Sequence, residues 1–199
     1  ESLKNQLKNP KLINKNDIRD DISELISDDD IIEYFGEHFK KKIVKYSDLD
    51  EYKTIDDLLP NSEDFAILLV ESNFNSGHWI ALLKYDNIIE IFNSYGGPPG
   101  EELQFVGKKK NNELEQFEPY LNQLLDKALQ QGKQVIYNKV KLQKLKQDYN
   151  TCGRWCIIRC IMLKDFDMNL KVFLAFIKKM QKIYKLTGDE LVSLLIPKD

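Results

Sequence analysis

Hydrophobic residues along this chain change period more than once. In the first 60 residues they recur at helical spacing between polar runs. Asn16 or Asp17 can cap a helix reaching about Ile26, and Asp28, Asp29 and Asp30 suit the start of a second, with Ile31, Ile32, Tyr34 and Phe35 before Gly36. From Phe65 onward the pattern shortens to nearly continuous apolar runs. Phe65 to Val70, Trp79 to Tyr85 and Ile88 to Phe92 predict three adjacent strands, the last two joined by a two-residue turn at Asp86-Asn87. The loop Glu71 to Gly77 sets His78 at the head of the second strand, and the third ends in Asn93. His78 and Asn93 lie at similar distances from the turn, which predicts cross-strand neighbours. Ser94-Tyr95-Gly96-Gly97-Pro98-Pro99-Gly100 then stops any regular element.

The helical period returns from Glu113 to Gln131, with Leu114, Phe117, Leu121, Leu124, Leu125 and Ala128 on one side and Gly132 as its end. Val135 to Leu142 alternates as a fourth strand. Gly153 to Leu163 reads as a largely buried helix, and Leu170 to Tyr184 and Asp189 to Ile196 as two more. This order predicts an α+β fold, a central mixed sheet flanked by helices. It predicts a single domain over 1–199: a helical N-terminal part (1–60), a core (65–163) and C-terminal helices (168–199).

Composition narrows the classes. At 199 residues and 42% hydrophobic, the chain can bury one substantial core. No apolar run approaches the roughly 18 residues of a membrane helix and no basic-then-apolar segment opens it, which predicts a soluble, unsecreted protein without membrane partners. Residues 1–64 hold 17 acids against 10 bases, whereas residues 107–146 hold 9 bases against 4 acids. That basic stretch reads as a solvated lysine-rich face or as contact with nucleic acid or an acidic partner. Cys152, Cys156 and Cys160 are spaced by four, so on a helix they share a face; three is an odd count, and no disulfide framework follows. With His38 and His78 the only histidines, no metal or other cofactor is expected. Nothing near His38 orients it for chemistry.

Chemistry concentrates in two segments 74 residues apart, Gly77-His78-Trp79 and Thr151-Cys152-Gly153-Arg154-Trp155. A cysteine in the first turn of a helix has its thiolate favoured by free N–H groups and the positive dipole end, and a nearby imidazolium favours it further. Cys152 has that position. Cys156 and Cys160 lie one and two turns deeper among isoleucines, where cysteine packs as a small apolar residue.

Gly-His-Trp heading a strand, Phe-Asn-Ser-Tyr-Gly ending the next, an upstream Gln and Thr-Cys-Gly-Arg-Trp opening a helix together resemble the adenain and Ulp1-like cysteine proteases. They are most similar to the capsid-maturation proteases of virophages, Polinton-like elements and large DNA viruses. The resemblance spans Phe65 to Leu163, and its order His, Asn or Asp, Gln, Cys sets it apart from papain-type enzymes, which place Cys first. It implies an Ulp1/adenain-like fold in which Cys152 attacks a scissile carbonyl and His78 pairs with the thiolate and protonates the leaving amine. Asn93 stands where the family usually has Asp or Glu. An amide orients the ring but carries no charge, so the thiolate is left to supply it. Gln143, where the fourth strand should end, or Gln147, nearer the usual spacing, would donate to the oxyanion beside the Cys152 N–H.

By the same resemblance Trp79 and Gly153 belong to the substrate cleft. Trp79 walls it, shields the His78 to Asn93 contact or packs in the core, and Gly153 is small enough to let a carbonyl approach. The implied substrates are capsid precursors cut at small, Gly-containing sites, in the virion and infected-cell cytoplasm (the virus factory), by a monomer that DNA or a peptide can activate. Two other readings remain: an isopeptidase for ubiquitin-like modifiers using the same residues, and a non-catalytic binding module on the same fold.

Overall fold

The computed structural model describes residues 18, 22–146 and 148–198. The first predicted helix, Asn16 or Asp17 to Ile26, lies largely outside these residues; of its described part, Ile18, Ile22 and Ser23 are helical and 24–27 are not. Helix α1 (Asp28–Phe35) starts where its acids predict. Ser27 caps it reciprocally with Asp30, and Gly36 ends it.

Five strands form one mixed sheet in the order β1 (Ile43–Lys45), β2 (Asp64–Asn73), β3 (Ser76–Tyr85), β4 (Ile88–Phe92), β5 (Gln134–Tyr137). β2, β3 and β4 are antiparallel neighbours, while both edge strands run parallel to the strand they join. β1 is absent from the sequence reading, because a three-residue strand is too short to display a period of two. Between β1 and β2 lies the short helix α2 (Ile55–Leu58).

The predicted loop from Glu71 to Gly77 is instead mostly strand. β2 and β3 extend to meet at Asn73 and Ser76, leaving a tight turn in which Asn75 takes a φ of 53°. Asn tolerates this left-handed conformation, and the Glu71 carboxylate accepts from its N–H at 2.6 Å.

The strands read as continuous apolar runs because both sheet faces are covered. Ile67, Leu69, Ala81, Leu83 and Phe92 face helices α6 (Cys152–Lys164), α7 (Leu170–Tyr184) and α8 (Gly188–Leu195). Ala66, Leu68, Val70, Ile80, Leu82, Ile89 and Ile91 face α5 (Tyr120–Gln130) and the Tyr46–Glu51 turn of 3₁₀ helix. Every α6 residue except Ile161 and Lys164 is buried, so this helix runs through the core. Its two buried arginines are anchored there. Arg159 forms a two-pronged pair with Glu90 at 2.7 Å on each prong, and Tyr85 donates to the same carboxylate at 2.6 Å. Arg154 donates to the Ile196 and Glu24 carbonyls.

Two predicted elements are shorter than their patterns. The helix expected over Glu113–Gln131 begins at Tyr120, because Pro119 cannot donate within a helix; Leu114 falls outside it and Phe117 is exposed. Two short helices not predicted, α3 (Glu101–Val106) and α4 (Lys108–Glu113), precede it. The strand expected over Val135–Leu142 stops at Tyr137. There the Asn138 amide turns the chain, bonding Asn93 O, Val140 O and Val140 N at 2.8–2.9 Å. This turn brings Leu142 and Gln143 against Ser94, whose carbonyl accepts from both their N–H groups.

Candidate active site

β3, the segment after β4 and the start of α6 converge on a cleft of about 420 Å³ that His78, Asn93, Gln143 and Cys152 all line. The register pairs Ala81 with Phe92. Continued past Phe92, it sets His78 opposite Tyr95, with Asn93 one diagonal step away, so the predicted cross-strand pair is offset by two residues. Both consequences are visible: the His78 and Tyr95 rings stack at 4.5 Å and 16°, and His78 Nε2 lies 2.9 Å from Asn93 Oδ1. Asn93 Oδ1 also accepts from the Tyr95 N–H at 2.9 Å, while its Nδ2 donates to Glu102 at 2.7 Å. With the Asn93 oxygen engaged in this way, Nε2 carries the proton and Nδ1 is left for the thiol.

Cys152 is the first residue of α6, with unsatisfied N–H groups around it. Burial opposes ionisation of both the thiol and the imidazole. Their mutual charge and hydrogen bond outweigh it, holding the Cys152 thiol below its ordinary value and the His78 imidazole above its own. The backbone N–H groups of Trp79 and Gly153 lower the thiol further, and Asn93 and the Glu102 charge raise the imidazole. The site therefore favours a thiolate–imidazolium pair. Tyr95 stays neutral: burial, then the charges of Cys152 and Asp189, push its hydroxyl up to about 12. Burial sends the thiols of Cys156 and Cys160 the other way, upward, as inert core groups.

Gln143 is buried in the cleft wall. Its Oε1 accepts from Ser94 Oγ at 2.7 Å and its Nε2 donates to Tyr149 O at 2.8 Å. The Tyr149 carbonyl, which can only accept, therefore fixes which end of the amide faces the cleft. The second Nε2 hydrogen has only the Tyr95 hydroxyl at 3.4 Å, a weak partner that an incoming oxygen could replace. Gln147 lies outside the described residues. The loop between Gln143 and Cys152 is held by the buried Asp189, which accepts from Thr151 Oγ1 at 2.6 Å and Lys144 N at 3.1 Å.

Trp79 and Gly153 stand behind the cleft, and neither side of the pair lines it. Trp79 Nε1 donates to Ile26 O at 2.9 Å, and a Cβ built on Gly153 would lie 2.6 Å from Ile26 Cβ and 3.2 Å from Trp79 Cδ1. The smallness of Gly153 thus serves the packing of the Ile26 segment on α6, and both residues act on the thiol through their backbone N–H groups. Gly153→Ala is expected to destabilise the fold by about 1–3 kcal/mol through overpacking, read as a lowered denaturation midpoint.

Sequence reading missed Tyr95 and Glu102 as members of the site. Tyr95 was accessible from the strand register, once counted from the turn. Glu102 was not, because the Gly-Pro segment that folds it back toward Asn93 has no period.

Lysines of the basic stretch divide into two groups. Lys127 and Lys133 bind the Lys53 carbonyl and the Asp56 carboxylate, while Lys141 lines the cleft and Lys144 and Lys146 flank the Tyr149 ring at 5.4 and 5.7 Å. Among the described residues no helix is long and apolar enough to cross a membrane.

No family model matches the chain, and no solved structure matches it. Over 171 residues, 85% of this chain and 93% of the other, it is 40% identical to the uncharacterized protein V9 of Sputnik virophage. At that identity and coverage, the chain belongs to the same family as the virophage protein V9.

Proposed function

We propose that this protein is a cysteine endopeptidase of the adenain and Ulp1-like kind that cuts capsid precursors at small, Gly-containing sites during virion maturation. The observation that carries the reading is the convergence of Cys152, at a helix start, with a His78 imidazole whose Nε2 is held 2.9 Å from Asn93 Oδ1. The kinship with a virophage protein supports the viral setting.

The chemistry follows from the protonation states. Cys152 Sγ, already a thiolate, attacks the scissile carbonyl carbon while the imidazolium of His78 holds the proton that the leaving amine needs. The carbonyl oxygen gains negative charge beside the Cys152 N–H and Gln143 Nε2. As the C–N bond breaks, the proton passes from His78 to the amine, leaving a thioester on Cys152. Water then attacks the thioester; neutral His78 takes its proton, and the acid departs as the thiolate–imidazolium pair is restored.

Gln143→Ala is expected to lower kcat by about 10²–10³-fold with a small change in KM, because the oxyanion forms after substrate binds. Steady-state kinetics on a peptide substrate measures this. The reading as a whole is tested by incubating wild type and Cys152→Ala with candidate capsid precursor and sequencing the new termini. Wild type should cut next to small residues and the variant should not; equal cutting by both would falsify it. Processing of a ubiquitin-like probe with no cutting of the precursor would move the substrate to a ubiquitin-like modifier.

A further inference from the structure

An asparagine orients a catalytic imidazole but cannot balance its positive charge. Immediately behind Asn93 lies a group that can. Glu102 is only 5% exposed, on helix α3, and both of its oxygens accept: Oε1 from Asn93 Nδ2 at 2.7 Å and Oε2 from the Gly100 N–H at 3.0 Å. Burial raises the Glu102 carboxyl above its ordinary value, while the His78 charge and the bonds from Asn93 and Gly100 act the other way; those partners are all donors, which suits an ionised carboxylate and leaves a carboxyl proton nothing to bond.

The same arrangement determines which way the Asn93 amide points. Its oxygen faces two donors, the Tyr95 N–H and His78 Nε2–H, and its nitrogen faces an acceptor. A flipped amide would set N–H against N–H at Tyr95 and oxygen against oxygen at Glu102, breaking one buried and one partly buried hydrogen bond.

We propose that Glu102 is a positioning residue for the catalytic histidine: its carboxylate locks the Asn93 amide with the oxygen toward His78 and delivers, through that amide, the negative charge that an aspartate would supply directly. The inference rests on the protease reading above and deepens it. The site is then a four-membered chain, Cys152, His78, Asn93, Glu102, with charge at both ends and two neutral-capable groups between. Polarising the Asn93 carbonyl strengthens its bond to the imidazolium, so Glu102 acts on the charge state of His78 without touching substrate.

Other titratable groups near the chain do not duplicate this role. Cys152 meets His78 from α6, Tyr46 reaches toward Glu102 from the 3₁₀ turn with its hydroxyl pushed up to about 12, by burial first and in part by the Glu102 charge, and Tyr95 stacks on His78 as a neutral phenol. Glu101, the sequence neighbour, lines the same cleft and provides a control carboxylate.

The test uses the two histidines of the chain. Histidine-ring NMR of the full protein follows His78 directly, with His38 as an internal reference in a separate cavity. In Glu102→Gln, whose amide keeps the shape and removes the charge, the His78 midpoint should fall by about one pH unit, while in a Glu101→Gln control it should stay where it is in wild type. Peptide kcat should drop about tenfold with KM unchanged. In Asn93→Asp/Glu102→Gln the charge moves one residue forward, and both the His78 midpoint and kcat should return to within about threefold of wild type. Such rescue also answers the objection that Glu102→Gln merely misfolds. An unchanged His78 midpoint in Glu102→Gln, or no recovery in the double variant, overturns the inference while leaving the protease reading intact. A wild-type His78 that titrates no higher than an ordinary histidine overturns both.

Discussion

Replacing His78 by alanine slows peptide cleavage by about 10³-fold or more, with the fold preserved. Two losses combine. First, general acid catalysis by a positioned imidazole contributes about 10²–10⁴-fold, and the chain's other histidine, His38, lines a different cavity. Second, the thiolate loses the cation that lowers its pKa. Burial is the largest influence on Cys152 and acts upward; without His78, only the Trp79 and Gly153 N–H groups oppose it. The thiol then rises, and the thiolate fraction at neutral pH collapses.

The pH profile carries the same signature. The pair exists from above the lowered Cys152 value to below the raised His78 value, so wild-type kcat/KM should be flat across neutral pH and fall on both sides. His78→Ala should instead show a single rise toward alkaline pH. Steady-state kinetics across the pH range, with circular dichroism to verify folding, checks both.

Glu90→Ala destabilises the protein by about 3–5 kcal/mol, the larger stability effect of any single change considered. Arg159 has no exposure to water, and Glu90 satisfies two of its donors at 2.7 Å. Removing the carboxylate leaves a buried guanidinium with the Met168 carbonyl at 2.9 Å and the face of Phe173 at 5.2 Å. It also strips Tyr85 of its acceptor. A loss of this size is a large share of the about 5–15 kcal/mol that holds a typical domain together. Glu90→Ala should therefore unfold at markedly lower denaturant, whereas Glu90→Leu with Arg159→Met, which removes both charges, should recover much of the loss. Chemical denaturation of the single and double variants measures the difference.

The pair also explains why β4 is apolar at every position except one. Ile89 and Ile91 face α5 as the pattern requires, but Glu90 and Phe92 face α6, and a lone acid there reads as solvent-facing until Arg159 is seen opposite. Periodicity reports which residues share a face, not which face is buried. The strands Phe65–Val70, Trp79–Tyr85 and Ile88–Phe92 and the helix Leu170–Tyr184 were legible because their apolar runs are long, while the joined ends of β2 and β3 run on through the polar segment Glu71–Gly77 that reads as a loop. The helix at Cys152 was legible for a different reason: a mostly apolar run over 11 predicted residues, interrupted only by Arg154 and Arg159 after its opening glycine, exceeds a strand's usual length. β1 and α3 escaped notice because three and six residues cannot display a period.

The site divides along the same line. His78, Asn93 and Cys152 sit at or near element ends that the sequence marks; the register brings His78 and Asn93 within a diagonal step, and the packing of α6 on the sheet adds Cys152. Gln143 reaches the cleft through the Asn138 turn, which a strand read to Leu142 conceals. Glu102 returns to Asn93 across three glycines and two prolines, and the Trp79 side chain and the Gly153 α-carbon face Ile26 because α6 packs on that side. Such contacts depend on tertiary approach and leave no local trace.

The most direct test of the central claim, a thiolate on Cys152 made by His78, is labelling by a peptide electrophile ending in a glycine vinyl ester, read by intact mass and peptide mapping. At pH 6, where an ordinary thiol of pKa about 8.5 is less than about 1% ionised, wild type should take up one adduct, on Cys152, and none on Cys156 or Cys160. His78→Ala should be labelled at least about 100-fold more slowly. A wild type that stays unmodified, or a His78→Ala variant labelled as fast as wild type, would contradict the account.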